Sequence, residues 1–317
     1  MESLLRRGGT VRVLDDLSTG RRENLAALAG PRCELIEGSV RDLRLFREAM
    51  EGCGRVFHLA ASVGVALITA RPAECLRNNL EGTQNLFDAV TAQRHPPRVM
   101  LFSSSEVYGK SSRVPLREDE ELVLGPTSVP RWSYASAKIV GEFQALAAHR
   151  ARGLPVTVVR CFNTCGPRQL SAYGMVLPRF LEQALRGQRL TVYGDGRQTR
   201  CFSDVADVVE QVLLLEGHPA AAGEVFNVGN DEEISILELA RLIVEISGSR
   251  SEVVNVPYPS GYGPQFEDVP RRVPDLTKLR AYLGNTPETD LRTLIERTLR
   301  GHRADPARAA GAAAPPV

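Results

Sequence analysis

Tyr134 and Lys138 stand four residues apart in the run Trp132-Ser133-Tyr134-Ala135-Ser136-Ala137-Lys138, and a serine run, Ser103-Ser104-Ser105, lies upstream. In a helix that spacing places both side chains on one face, about a turn apart. An ammonium beside a phenol favours the phenolate, so a tyrosine whose reference pKa is near ~10 can serve as a base close to neutral pH. A serine hydroxyl at the same spot could hydrogen-bond a substrate hydroxyl while the tyrosine takes its proton. Such a set is equipped to oxidise an alcohol to a ketone beside a hydride acceptor. A surface helix with an aromatic near its start accounts for the pair alone about equally well, so the neighbouring segments decide.

Those segments alternate short strands with helices. Residues 1–7 read as the end of a helix that Gly8-Gly9 stops. Thr10–Leu14 reads as a strand ending in Asp15-Asp16, and a helix is predicted over Arg22–Ala29. Cys33–Gly38, Gly54–Ala61, Arg98–Phe102 and Val156–Arg160 read as further strands, with helices over Asp42–Glu51 and Pro72–Gln93 between them. This pattern indicates an α/β fold with a parallel sheet covered on both faces. Ligands collect at the carboxyl ends of such strands, and Asp15, Ala60, Ser104 and Asn163 all fall there. The polar stretch from Gly109 to Arg131 reads as a long loop, a kind of segment that usually carries function. A carboxylate ending the second strand of a dinucleotide-binding sheet accepts hydrogen bonds from the adenosine ribose and repels a ribose phosphate. Asp15 therefore points to NAD over NADP, although an aspartate also starts many ordinary turns.

The balance of charges is +1, with the basic residues dispersed, which argues against a nucleic-acid or anionic-membrane partner. No run reaches the roughly 18 apolar residues of a membrane span. The start has no apolar signal core. Six cysteines show no CxxC or metal-ligand spacing, so reduced thiols in a cytoplasmic protein, with no metal, are the better reading than a disulfide framework. In the second half, Leu190–Tyr193 reads as a strand, Phe226–Gly229 as a return to the main sheet, and Ser235 with Glu238 as the cap of a helix running through Ile246. Residues 301–317, rich in Ala, Pro and Gly, are expected to be a disordered tail.

In this order and spacing several segments resemble the extended short-chain dehydrogenases of the NAD-dependent epimerase/dehydratase group, which act on nucleotide sugars. They are Leu14-Asp15-Asp16-Leu17-Ser18-Thr19-Gly20, Phe57-His58-Leu59-Ala60-Ala61, Asn79-Leu80-Glu81-Gly82-Thr83 and Ser103-Ser104-Ser105-Glu106-Val107-Tyr108-Gly109. Tyr134 with Lys138, Arg160 through Arg168, Val192 through Arg200 and Arg271-Arg272-Val273-Pro274-Asp275 complete the set, which runs from Met1 to about Arg300. The resemblance implies a Rossmann-type doubly wound parallel sheet with a smaller C-terminal α/β substrate lobe. The NAD-binding domain would hold residues 1–163 and 199–228, and the nucleotide-sugar lobe 164–198 and 229–300. The first strand and its glycine-rich turn are missing from this pattern, and the natural chain is expected to begin upstream, which mass spectrometry of the native amino terminus would test.

Carried over by position, Tyr134 resembles the catalytic base, Lys138 its pKa-lowering and ribose-binding partner, and Ser104 the helper hydroxyl. Asp15, Asp16, Leu17, Ser18, Thr19 and Gly20 resemble the adenosine-ribose loop, and Ser39-Val40 the adenine contact, where relatives commonly carry aspartate in place of Ser39. Leu59, Ala60, Ala61, Asn79 and Phe162 line the rest of the NAD site in relatives. Asn163, Leu177, Thr191, Tyr193, Arg200 and Arg271 resemble the nucleoside-diphosphate site, with uracil as the implied base. Cys165 stands where relatives often have tyrosine. Glu106 is the fork: a plain 4-epimerase needs no carboxylate there, dehydratases usually pair it with an aspartate, and UDP-glucuronate decarboxylases have Ser-Glu as here. Val273, however, replaces an arginine those decarboxylases typically place before the proline, and a structural role for Glu106 is as open as a catalytic one. The sequence leans to a UDP-hexose 4-epimerase acting through a transient 4-keto sugar, with UDP-glucuronate decarboxylation or dehydration close behind. A reading from another class is a catalytically dead sugar-nucleotide binder, favoured by the missing turn and opposed by Ser104, Tyr134 and Lys138. By the same resemblance two copies would pair through the Tyr134 helix and the helix at 72–93.

Overall fold

A computed structural model describes all residues except 29, 172, 259–267, 285, 287 and 305–317. The first half runs α1 (Glu2–Arg6), β1 (Val11–Asp15), α2 (Glu23–Ala26), β2 (Cys33–Glu37), α3 (Leu43–Met50), β3 (Arg55–His58), α4 (Val65–Ala70) and α5 (Pro72–Thr91). It continues through β4 (Arg98–Ser104), α6 (Trp132–Arg152) and β5 (Val156–Cys161). Then come β6 (Thr164–Cys165), α7 (Val176–Leu185), β7 (Leu190–Tyr193), β8 (Thr199–Cys201), β9 (Ser203–Asp204), α8 (Val205–Gly217) and β10 (Val225–Val228). The last elements are β11 (Glu233–Ser235), α9 (Ile236–Ser247), β12 (Val253–Val256), β13 (Arg271–Arg272), α10 (Thr277–Leu283) and α11 (Leu291–Ala304).

Four strands form one parallel sheet in the order β10-β5-β4-β3, and β1 pairs in parallel with β2 in a separate two-stranded sheet. Strand side chains point alternately to opposite faces. On β4, Val99 and Leu101 enter a core shared with Phe46, Leu86, Phe87 and Val90, whereas Met100 enters one shared with Val208, Val212, Phe226 and Leu279. Strand β5 divides likewise, Val156 and Val158 to the first core and Val159 to the second. Helices α3, α5 and α6 thus cover one face, and α8 and α10 the other. This is the doubly wound parallel arrangement expected from the sequence.

Local chemistry starts the helices where the sequence placed them. Asp42 accepts the Arg44 and Leu45 N–H groups at 2.9 and 3.1 Å to begin α3. Ser235 and Glu238 form a reciprocal capping box on α9. Gly153 ends α6 in the left-handed conformation at φ 64, which costs a glycine nothing. The lobe core joins α7, α9 and α11 through Phe180, Leu181, Leu239, Ile243, Leu294 and Ile295.

Some boundaries differ from expectation. Strand β8, at the expected domain boundary, hydrogen-bonds to β11 and β13. Leu276 and Leu279 pack against the main sheet. Helix α11 extends through Ala304, so residues 301–304 are helical where a disordered tail was expected, because Leu299 and His302 are buried. The remainder of that tail, 305–317, lies outside the described residues. Among the described residues, no helix is long and apolar enough to cross a membrane.

Candidate active site

The carboxyl end of β4 delivers Ser104, whose hydroxyl oxygen accepts the Glu106 N–H at 3.2 Å and starts the 3-10 turn Ser105–Tyr108. Helix α6 brings Tyr134 and Lys138 to the same place from its first two turns. Tyr134 is buried against Ile68 and Cys75. Burial pushes its phenol well above the ordinary value, and the hydrogen bond with Ser104 only partly opposes that. Lys138 donates to the Phe102 carbonyl at 2.7 Å and lies 5.8 Å from the Tyr134 ring centroid. Burial lowers the lysine to about 8, with Cys161 and Glu142 resisting. The expected acidification of the phenol by Lys138 is therefore not what these side chains produce on their own. The amine bonds a backbone carbonyl, and desolvation of the phenol dominates.

Glu106 anchors an ion cluster that sequence reasoning missed. Arg272 donates to it, and Arg131 donates to it at 3.1 Å. Burial raises the Glu106 carboxyl, but Arg272 and Arg131 outweigh that and bring it from its ordinary 4.5 to about 2. Arg131 also pairs with Asp268 at 3.8 Å, and Asp268 accepts Arg200 at 2.8 Å. Arg131, Arg200 and Arg272 are buried. Three guanidiniums against two carboxylates leave this cluster one positive charge in excess, which suits an anionic ligand.

The parallel pairing of β13 with β8 sets Arg272 opposite Arg200 and leaves its neighbour Arg271 facing solvent, where it pairs with Glu233 at 2.7 Å. Of the two adjacent arginines, Arg272 is thus the one joined to Glu106. A period of two guarantees that one of the pair faces inward, but the residues alone do not say which. Arg131, three residues before Tyr134, was open to recognition as a helix-start neighbour of the base. Its partners Glu106 and Asp268 are too distant in the chain to be foreseen.

The other expected substrate residues divide. Asn163 donates to the Cys201 carbonyl at 2.7 Å. Thr191 receives Arg179 and Gln183, and Tyr193 stacks on Arg179 at 4.3 Å and near Tyr258 at 5.7 Å. The Leu177 side chain is fully buried in the lobe core.

At the NAD end, Asp15 closes β1 and accepts the Leu17 N–H at 2.7 Å, with Leu17 at φ 55. The loop doubles back so that a Cβ on Gly20 would meet the Asp15 carboxylate oxygens at 3.5 and 3.6 Å. Asp16 accepts both Ser18 groups, completing the turn that Thr19 and Gly20 continue. Ser39 accepts the Arg41 N–H, while the Val40 side chain is buried and its carbonyl accepts Asn85. Leu59, 58% exposed, projects at the carboxyl end of β3 beside Ala60 and Ala61. Asn79 spends its amide on both backbone groups of Ser62, and Phe162 is fully buried against Tyr108, so both side chains build the wall behind the site. An acidic strand end for ribose hydroxyls, an exposed apolar side chain for a ring and a buried ammonium fit NAD at these points.

The sequence model of the NAD dependent epimerase/dehydratase family matches residues 1–229. The UDP-N-acetyl-alpha-D-glucosaminuronate decarboxylase of Bacillus cytotoxicus is 37% identical over 303 residues, covering 95% of this chain and 92% of that protein. UDP-glucuronic acid decarboxylase 2 of Arabidopsis thaliana is 35% identical over 92% of this chain, which spans 62% of its length. Among solved structures, a UDP-glucuronic acid 4-epimerase from Bacillus cereus in complex with UDP-glucuronic acid and NAD superposes with a TM-score of 0.83 at 25% identity. That superposition covers 96% of this chain and 94% of the other.

Proposed function

The chain belongs to the NAD dependent epimerase/dehydratase family, and from that premise we propose that it is a decarboxylase of a UDP-linked uronic acid, working through a transient 4-ketone. The observation that carries this reading is Glu106, held as a carboxylate by Arg131 and Arg272 beside Ser104. The relatives named above favour it over the 4-epimerase to which the residues leaned.

NAD, when bound, supplies the hydride acceptor and a positive charge that favours a phenolate. Asp15 and Lys138 would hold its two ribose ends. Tyr134 takes the proton of the sugar 4-hydroxyl, and Ser104 orients that oxygen. A ketone at C4 makes the C6 carboxylate a β-keto acid. Its C5–C6 bond then breaks as carbon dioxide leaves, and the bonding electrons pass into a C4–C5 enolate. Ser104 and Tyr134 hydrogen-bond the enolate oxygen, C5 takes up one proton from solvent, and C4 would then regain its hydride as Tyr134 returns the proton to the C4 oxygen, leaving the cofactor as it began. Ser105 stands where dehydratases usually carry the aspartate of their acid–base pair, which counts against dehydration. The charge of Glu106 instead fixes the guanidiniums of Arg131 and Arg272, which would attract the substrate anion. Arg200 and Arg272 would hold the diphosphate, with Tyr193 against the base.

The pairing of two copies is part of the same reading: Val140 and Phe143, three residues apart on α6, are 43% and 70% exposed, apolar side chains suited to contact with a second chain. The six cysteines are free thiols, which suits a cytoplasmic location. Incubation with NAD and either UDP-glucuronate or UDP-N-acetylglucosaminuronate, followed by NMR, tests the function. Loss of C6 as carbon dioxide is expected. Inversion at C4 with C6 retained would establish the epimerase instead.

A further inference from the structure

Helix α6 carries a third side chain in step with Tyr134 and Lys138. Glu142 follows Lys138 by four residues, continuing the same face one turn further. It is buried, and its partners come from both central strands. Ser103 on β4 donates its hydroxyl to Glu142. Arg160 on β5 donates to it from Nε at 3.0 Å and from Nη2 at 2.7 Å. Ser103 and Arg160 are Cα partners in the β4–β5 ladder. Both continue the alternation that points Val99, Leu101, Val156 and Val158 into the core against α6. That face of the sheet is thus apolar until its last rung, where it turns into a hydroxyl, a guanidinium and a carboxylate.

An apolar rung would serve adhesion as well or better, because two desolvated charges regain little net stability from each other. What an ion pair supplies is a single permitted register. Arg160 uses its remaining groups to extend that register: Nη1 donates to the Glu118 carbonyl at 3.1 Å, and the guanidinium stacks 4.8 Å above the Tyr108 ring. Tyr108 ends the 3-10 turn that holds Glu106. The pair therefore bolts the helix bearing the base to the strand bearing Ser104 and to the turn bearing the carboxylate.

We propose that Glu142 is a positioning residue of the active site, fixing α6 against Ser103 and Arg160 so that Lys138 stays protonated and in register with Tyr134 and Ser104. The groups facing Lys138 are Tyr134 and Glu142 on α6, Cys161 on β5, His58 on β3 and the Phe102 carbonyl on β4. His58 is buried and held neutral, pushed to about 3 by burial and then by Lys138 itself. The burial of Cys161 raises its thiol to about 12, which keeps it neutral as well. Among them Glu142 is the carboxylate, tied to Arg160 at 2.7 Å and set one helical turn from the Lys138 ammonium.

The chain has three lysines, Lys110, Lys138 and Lys278, so 13Cε-lysine labelling resolves Lys138 by NMR without an activity assay. Glu142→Gln keeps the shape and the acceptor for Ser103 but removes the charge. The Lys138 titration midpoint is expected to fall by roughly one unit. Turnover is expected to drop about tenfold or more, with KM for the UDP-sugar within about twofold, as for a group that acts through geometry. A folded Glu142→Gln protein with the wild-type midpoint and wild-type kcat overturns the proposal. If that variant does not fold, Glu142→Asp decides: it retains the charge one carbon short, so the midpoint should hold while kcat falls, and an unchanged kcat is the refuting result. The kinetic arm rests on the decarboxylase reading. A wild-type protein that releases no carbon dioxide sinks that reading, and the Lys138 titration still decides this one.

Discussion

Replacing Glu106 by glutamine removes the charge that Arg131 and Arg272 share, and the consequence has a calculable size. The carboxyl falls from 4.5 to about 2 on folding, and its side chain is only 19% exposed, so solvent screening discounts the effect little. At about 1.4 kcal/mol per unit, the ionised group contributes about 3 kcal/mol to folding at pH 7. Because the folded value is depressed, that contribution is complete above about 4.5 and disappears as pH falls through about 2. At pH 3 the same relation leaves roughly 1.5 kcal/mol. Glu106→Gln should therefore melt several degrees below wild type at pH 7, and the gap should narrow on acidification to pH 3. Scanning calorimetry at the two pH values reads both quantities. In the carbon dioxide assay the variant should be slower by about 100-fold or more, since the guanidiniums lose the anion that fixes them. A variant as stable as wild type at pH 7, or a deficit that does not shrink at pH 3, would refute the charge assignment. Unimpaired carbon dioxide release would refute the role in chemistry.

Tyr134→Phe should abolish conversion of every UDP-uronate by about 100-fold or more while leaving the affinity for UDP-sugars within about twofold by calorimetric titration. Full activity in that variant would remove the phenol from the mechanism. On α6, Phe143→Glu places a charge on an exposed apolar site, and light scattering should show wild-type dimers giving way to monomers. Wild-type monomers, or dimers in the variant, would exclude this face as the contact.

The sequence carried the local part of this site well. The Tyr134–Lys138 spacing, the capping box at Ser235 and the alternating apolar strands depend on neighbours within a turn or a strand, and all recur in the fold. Helix α4, Val65–Ala70, was not foreseen, since VALITA is as rich in β-branched residues as a strand. The protonation of the site was also not legible. An adjacent amine suggested an acidic phenol, but burial raises Tyr134 and a backbone carbonyl engages Lys138. The cluster around Glu106 was hidden for a different reason. Its members Glu106, Arg131, Asp268 and Arg272 come from segments up to 166 residues apart, and a lone arginine in a sequence resembles any solvated surface charge.

Two consecutive residues, Arg271 and Arg272, lie on opposite sides of a strand only two residues long. Here the spelling of the motif matters less than its phase. Deleting or inserting one residue beside Val269 would carry the wrong guanidinium inward while leaving the composition of the segment almost untouched. In related chains, the parity of this short stretch is therefore a better guide to a working site than the number of arginines it contains.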